Sequence, residues 1–175
     1  MKRIFEIGFV LLFLVGCQKV PTPGFRELGP EETGVHFKNR LIETPQLNIL
    51  TYLYFYNGAG VIAADFYNDS LTDLYFGANQ QQDALYINKG GMRFEETGKP
   101  SGISSAGGWT TGVTHADVNG DGLEDIYVCK ASGYRALDGR NLLYINQGVN
   151  EDGIPEFKEA APEYGLDFSG LSTQA

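Results

Sequence analysis

From Val61 onward the apolar residues come in short clusters, Val61–Ala64, Leu74–Phe76, Leu85–Ile87 and one around Phe94, each bounded by Gly, Asn or Asp. An amphipathic helix needs apolar spacing sustained over roughly ten residues or more, and Gly and Asp interrupt every candidate after residue 56. The pattern therefore predicts four short strands. The aromatic-rich run Thr51–Tyr56 predicts one more, on which strand alternation would place Tyr52, Tyr54 and Tyr56 on a common face.

The clusters recur. Gly60-Val61-Ile62-Ala63-Ala64-Asp65, followed by Asp69, Leu71, Asp73 and Tyr75, reappears 52 residues later as Gly112-Val113-Thr114-His115-Ala116-Asp117, followed by Asp121, Leu123, Asp125 and Tyr127. Leu85-Tyr86-Ile87-Asn88 returns as Leu143-Tyr144-Ile145-Asn146, and Phe94, Glu96 and Gly102 return as Phe157, Glu159 and Gly165. The growing offset places insertions in the second copy around Ser132–Arg140 and Val149–Pro155, where loops tolerate them. A unit of about 50 residues with four strands predicts an all-β fold, a β-propeller of four-stranded blades. The repeats run over about 51–103 and 104–168, and Ser172–Ala175 falls where a third would begin. Rings usually close with about 4–8 blades, so the expectation is an incomplete, N-terminal fragment of two blades plus the start of a third, with edge strands left open.

Composition narrows the function. A net charge of −9, from 22 acidic against 13 basic residues, with no cluster of Lys and Arg, excludes a nucleic-acid binder. Hydrophobic content of 42% with 13% aromatics excludes a disordered chain. Two cysteines make neither a disulfide scaffold nor a zinc site. At the N-terminus, Lys2 and Arg3 precede an apolar run, Ile7–Val15, that is too short to span a bilayer. The run ends in Leu14-Val15-Gly16-Cys17, which resembles the bacterial lipobox and implies acylation of Cys17. The expected organisation is a signal peptide over 1–16, a lipidated Cys17 with a Pro/Gly tether over 17–33, and the partial propeller over 34–175. The expectation is a protein secreted across the inner membrane and anchored by lipid in the bacterial cell envelope, at the outer membrane, with the membrane as a partner through Cys17.

The chemistry lies in the aspartate turns. Asp117-Val118-Asn119-Gly120-Asp121-Gly122-Leu123-Glu124-Asp125 spells D-x-N-x-D-G-x-x-D. Oxygen donors stand at positions 1, 3, 5 and 9, Gly122 frees the backbone at position 6, and the Leu123 carbonyl is available at position 7. Such a set suits Ca²⁺, which takes about six to eight oxygens, and a divalent ion relieves the repulsion among crowded carboxylates. A helix-flanked calcium loop needs an acid at position 12, but Val128 stands there, so this loop should join two strands. The competing reading is an acidic surface turn without metal. In the first copy Asp65, Asp69 and Asp73 keep positions 1, 5 and 9, with the Leu71 carbonyl at 7, whereas Tyr67 and Ser70 replace the donor at 3 and the glycine at 6. Weaker binding is expected there.

The G-V-x-x-x-D-x-x-x-D-x-x-x-D-[IL]-Y core, the L-Y-I-N strand and the trailing F-x-E resemble the VCBS/FG-GAP repeats of bacterial lipoproteins similar to cartilage acidic protein, and more distantly the integrin α-chain propeller. Gly34-Val35-His36-Phe37 resembles the family's lead-in. The resemblance implies a β-propeller whose loops bind calcium through Asp117, Asn119, Asp121, the Leu123 backbone and Asp125, with Asp65, Asp69 and Asp73 in the other copy. It also implies a ligand-binding or adhesion module.

No catalytic set stands out. His36 and His115 are the only histidines, and neither G-x-S-x-G, H-E-x-x-H nor a phosphate-cradling Gly loop occurs. Glu95 and Glu96 would face opposite sides of a strand, and Cys129 reads as a small core residue. Trp109 with Tyr52, Tyr54 and Tyr56 could stack on a sugar, although blade packing explains them more readily. Two functions follow as expectations: a calcium-binding, lipid-anchored interaction module for a glycan or surface-protein ligand, or part of a polysaccharide-active enzyme whose catalytic residues lie in blades outside this sequence.

Overall fold

The computed structural model describes residues 24–104, 108–134 and 136–173. The signal-like run, Cys17 and the first part of the proposed tether lie outside them. Among the described residues no helix is long and apolar enough to cross a membrane.

Among the described residues eight strands form two antiparallel four-stranded sheets, each a simple meander. The first contains β1 (Val61–Ala64), β2 (Asp73–Phe76), β3 (Ala84–Asn88) and β4 (Phe94–Glu96). The second contains β5 (Trp109–Ala116), β6 (Asp125–Ala131), β7 (Leu142–Val149) and β8 (Pro155–Glu159). Two one-turn helices, α1 (Pro30–Thr33) and α2 (Ala161–Tyr164), complete the described elements. The four strands anticipated from each repeat thus appear in both copies, and the two sheets stand as adjacent propeller-like blades that do not close a ring. Register is equivalent: Ile62 pairs Tyr75 as Thr114 pairs Tyr127, and Leu74 pairs Tyr86 as Ile126 pairs Tyr144.

Alternation decides which side chains enter the seam between the blades. Ile62, Phe66, Tyr75, Leu85 and Ile87 from the first meet Ile126, Val128, Tyr144 and Phe157 from the second in one buried cluster. Burial of each such side chain contributes about 1.5–3 kcal/mol. The inner strands β1 and β5 lie against each other, and the approach of the first sheet to β5 requires glycine just past the end of β2. A Cβ on Gly77 would stand 2.8 Å from Thr110 Cγ2 and 3.2 Å from Val113 Cγ1.

Each repeat is handed to the next by the same device. Gly34, Gly102 and Gly165 have φ of 79°, 78° and 68°, and each ends a short turn by donating its N–H backward, to Pro30, Lys99 and Pro162 respectively. Gly34 lies against Phe94 O and Gly102 against Phe157 O, with room for no Cβ at either. The lead-in Gly34–Phe37 is therefore the structural counterpart of Gly102-Ile103, docked on the outer strand of the blade that follows. Phe37 then stacks on Phe76 at 4.9 Å.

The strand expected at Thr51–Tyr56 does not form; residues 48–57 are a chain of turns. Asn48 starts them, its Oδ1 accepting from Leu50 N and Thr51 N and its carbonyl from Thr51 N and Tyr52 N. Tyr52 and Phe55 turn inward onto Trp109, Leu47 and Leu137, whereas Tyr54 and Tyr56 are exposed. The three tyrosines do not share a face, because a turn lacks the two-residue period of a strand.

Candidate metal-binding loops

The connection from β5 to β6 is organised by Asp117. Its Oδ1 accepts from Gly120 N at 2.7 Å and Asp121 N at 3.1 Å, and its Oδ2 from Gly122 N at 2.9 Å. Two left-handed glycines, Gly120 at φ 77° and Gly122 at φ 86°, aim these amides inward. Asp121 Oδ1 accepts from Leu123 N at 2.9 Å, and its Oδ2 from Asn119 Nδ2 at 2.8 Å. The loop joins strands, as Val128 at position 12 implied.

The β1–β2 connection repeats this geometry without its glycines. Asp65 accepts from Asp69 N at 3.1 Å and Ser70 N at 2.7 Å, and Asp69 Oδ1 from Leu71 N at 2.9 Å. Asn68 and Ser70 take the left-handed conformation at φ 58° and 68°, in the places of Gly120 and Gly122. Tyr67 departs from the donor pattern because it packs on the seam: its ring lies against the core, and a Cβ on Gly153 would be 3.7 Å from its hydroxyl.

The aspartate at position 9 braces three strands as well as closing its loop. Asp125 Oδ2 accepts from Val118 N at 2.9 Å, and Oδ1 from Asn146 N on β7 at 2.8 Å. Asp73 Oδ2 accepts from Phe66 N and Tyr67 N, and Oδ1 from Asn88 N on β3 at 2.8 Å. Asn88 and Asn146 return the support through their amides, to Thr72 O and Glu124 O. Asn146 Nδ2 also donates to Phe66 O at 3.0 Å, tying both loops to one end of the seam. Asn88 and Asn146 are thus site residues that the sequence reading did not single out; their recurrence in L-Y-I-N was the available signal.

Electrostatics separate the positions. Converging loop amides, that of Gly122 foremost, hold the Asp117 carboxyl below its usual range. Burial pushes Asp125 up, and the charges of Asp121 and Asp117 push the same way. Burial likewise raises Asp73, with the Asp65 charge adding to it. Among the described residues no three His, Cys, Asp or Glu side chains are gathered into a ready metal cage; the carboxylates are held by amides instead. The donors are nonetheless all oxygen, and the mutual repulsion acting on Asp125 and Asp73 is what a hard cation neutralises. The Leu71 and Leu123 amides serve the loops as donors to Asp69 and Asp121.

Elsewhere, His115 Nδ1 lies 2.7 Å from Glu124 Oε2 on the surface. Cys129 is buried, which raises its thiol pKa. Glu95 faces Lys89 at 3.5 Å, whereas Glu96 accepts from Tyr86 OH at 3.3 Å. Trp109 is 2% exposed and belongs to a core, so it offers no platform for stacking a sugar. At the opposite end of the seam from the aspartate loops an open cleft of about 1200 Å³ is lined by Asp138, Arg140, Glu159 and Asp167 among others.

No curated protein matches the chain. Residues 65–128, which run from the first aspartate loop through the second into β6, match the family model of the FG-GAP-like repeat, and that span of the chain is accordingly similar to a repeat of propeller-type modules.

Proposed function

We propose that the chain is a calcium-binding interaction module of propeller type, held at the bacterial envelope by lipid on Cys17 and presenting its blades to a glycan or surface-protein ligand. The observation that carries the metal reading is the shared architecture of the two loops. In each, the first aspartate is fixed by loop amides, while the ninth is buried under the repulsion of its neighbours. Asp117, Asn119, Asp121, the Leu123 carbonyl and Asp125 would hold the stronger ion. Asp65, Asp69, the Leu71 carbonyl and Asp73 would hold the weaker one, because Tyr67 supplies no side-chain oxygen from its packed position. The ion would act structurally, locking the β1–β2 and β5–β6 hairpins at one end of the seam.

Calorimetric titration of the chelator-stripped protein with Ca²⁺ should give a tighter event that Asp121→Ala abolishes and a weaker one that Asp69→Ala abolishes. Absence of binding heat in the parent overturns the metal reading; loss of the tighter event in Asp69→Ala alone reverses the ranking. Metabolic labelling with a fatty acid, compared between the parent and Cys17→Ser, tests the anchor.

A further inference from the structure

The segment that leads into the first blade carries its basic side chains in a row. Along residues 36–40 the side chains alternate as on a strand, although none of these residues belongs to one: His36, Lys38 and Arg40 are exposed, whereas Phe37 and Asn39 are half-buried. Phe37 stacks on Phe76, and Asn39 Nδ2 donates to Asn79 Oδ1 at 2.6 Å. The β2–β3 turn clamps the segment through three consecutive side chains. Asn79 holds Asn39, Gln81 Nε2 donates to Lys38 O at 2.6 Å, and Gln80 both accepts from Ile42 N at 2.6 Å and donates to Ile42 O at 3.0 Å. The backbone that presents the row is therefore fixed before any ligand arrives, with successive side chains on one side about 7 Å apart.

The charges of the row are not used within the chain. Among the described residues neither Lys38 nor Arg40 enters an ion pair, whereas Arg26, Lys89, Arg140 and Lys158 each do. His36, Lys38 and Arg40 border a groove of about 660 Å³ on the first blade, which Gln82, Tyr86 and Glu96 also line. Glu96 is the one acid among the lining residues, and it accepts from Tyr86 OH at 3.3 Å. On a chain of net charge −9 the groove is a local reversal of sign, so a polyanion repelled elsewhere is drawn to it.

We infer that this groove binds a linear acidic polysaccharide of the uronate class, with Lys38 and Arg40 taking its carboxylates and the side chains of Gln82 and Glu96 its ring hydroxyls. This rests on the glycan reading of the module and narrows the ligand to one charge class at one place. Carboxylates spaced along an extended chain can meet cations spaced along an extended segment, and the Arg40 fork takes a carboxylate through two N–H donors. An anionic bilayer fits less well, because a flat surface cannot enter a groove and would bring its charge against the whole acidic molecule. An acidic peptide would satisfy the two cations, but it offers few hydroxyls to Gln82, and Glu96 repels any further acid.

The test measures calorimetrically the binding of oligogalacturonate, of its methyl ester and of poly-glutamate to the whole chain, with Ca²⁺ and again in EGTA, where no ion can bridge protein and ligand. The parent should bind oligogalacturonate in both. Lys38→Gln/Arg40→Gln should raise the Kd by about tenfold or more and flatten its salt dependence. Lys158→Gln, which removes an exposed cation from β8 on the other blade, should stay within about twofold of the parent. The changed side chains are exposed, so the urea midpoint of the double variant should match that of the parent. A methyl ester bound as tightly as the acid, or an equal loss in Lys158→Gln, overturns the role of the row and leaves a glycan ligand standing. Poly-glutamate bound as tightly as the oligosaccharide overturns the proposal in favour of an acidic protein partner. No binding of oligogalacturonate in either condition overturns it outright; the glycan reading itself fails only if an array of neutral and acidic glycans, probed with Ca²⁺ present, also yields no ligand.

Discussion

Replacing Asp125 by alanine separates the brace from the metal ligand. The carboxylate is 1% exposed and takes Val118 N at 2.9 Å and Asn146 N at 2.8 Å, the second bond being fully buried. Removing it strands one buried amide, at about 1–3 kcal/mol, and one partly exposed amide that water can reach, at roughly 0.5–1 kcal/mol. Relief of the burial cost that raises the Asp125 pKa offsets part of this. A net loss of about 2–3 kcal/mol is expected, which moves a urea midpoint down by roughly 1–2 M. Asp121→Ala is the control: its oxygens serve exposed, local partners, Leu123 N and Asn119 Nδ2, so in chelator it should cost less than about 1 kcal/mol. Both variants are to be measured in EGTA and again in saturating Ca²⁺. The Asp125→Ala deficit should persist in EGTA, while that of Asp121→Ala should grow only when calcium stabilises the parent. Equal midpoints for the two variants in EGTA would refute the bracing argument.

Other outcomes follow from the same geometry. Ser70→Gly relieves a left-handed residue at φ 68° and should stabilise the chain by about 0.5–1 kcal/mol in urea unfolding. Gly102→Ala, at φ 78° with Phe157 O 2.6 Å from the new Cβ, should destabilise by about 1–3 kcal/mol and loosen the hand-over between blades, seen as faster amide exchange in β8. Burial raises Asp73 and Asp125 above the ordinary aspartate value of 3.8, so their ionisation diminishes stability at neutral pH, and this cost is relieved as pH falls through the raised values towards 3.8. Asp117 is lowered by loop amides; its contribution is present above 3.8 and is lost as pH falls through its folded value. In EGTA the urea midpoint should therefore be highest in mild acid rather than at neutrality, and a maximum at or above neutral pH would contradict this. Stripping calcium should lower the Tm of the parent and leave that of Asp69→Ala/Asp121→Ala unchanged.

The sequence by itself determined the four-strand repeat, the hairpin loops and the aspartates that organise them. These depend on local rules: alternation along a strand, Gly and Asp as punctuation, and amides turned toward a side chain a few residues away. Residues 48–57 escaped that reading because an aromatic run has the same composition whether it pairs as a strand or curls so that Tyr52 and Phe55 reach Trp109. Tyr67 looked like a lost ligand, and only the neighbouring blade shows that its ring fills the seam. Asn88 and Asn146 read as strand ends until the sheet brought the ninth aspartate of each loop beside them. Lys130 and Asp83, both buried and linked through the Thr110 hydroxyl, carried no local mark. Which buried charges come together is set by how two sheets pack, a matter of contacts between distant parts of the chain that no periodicity within either repeat can encode.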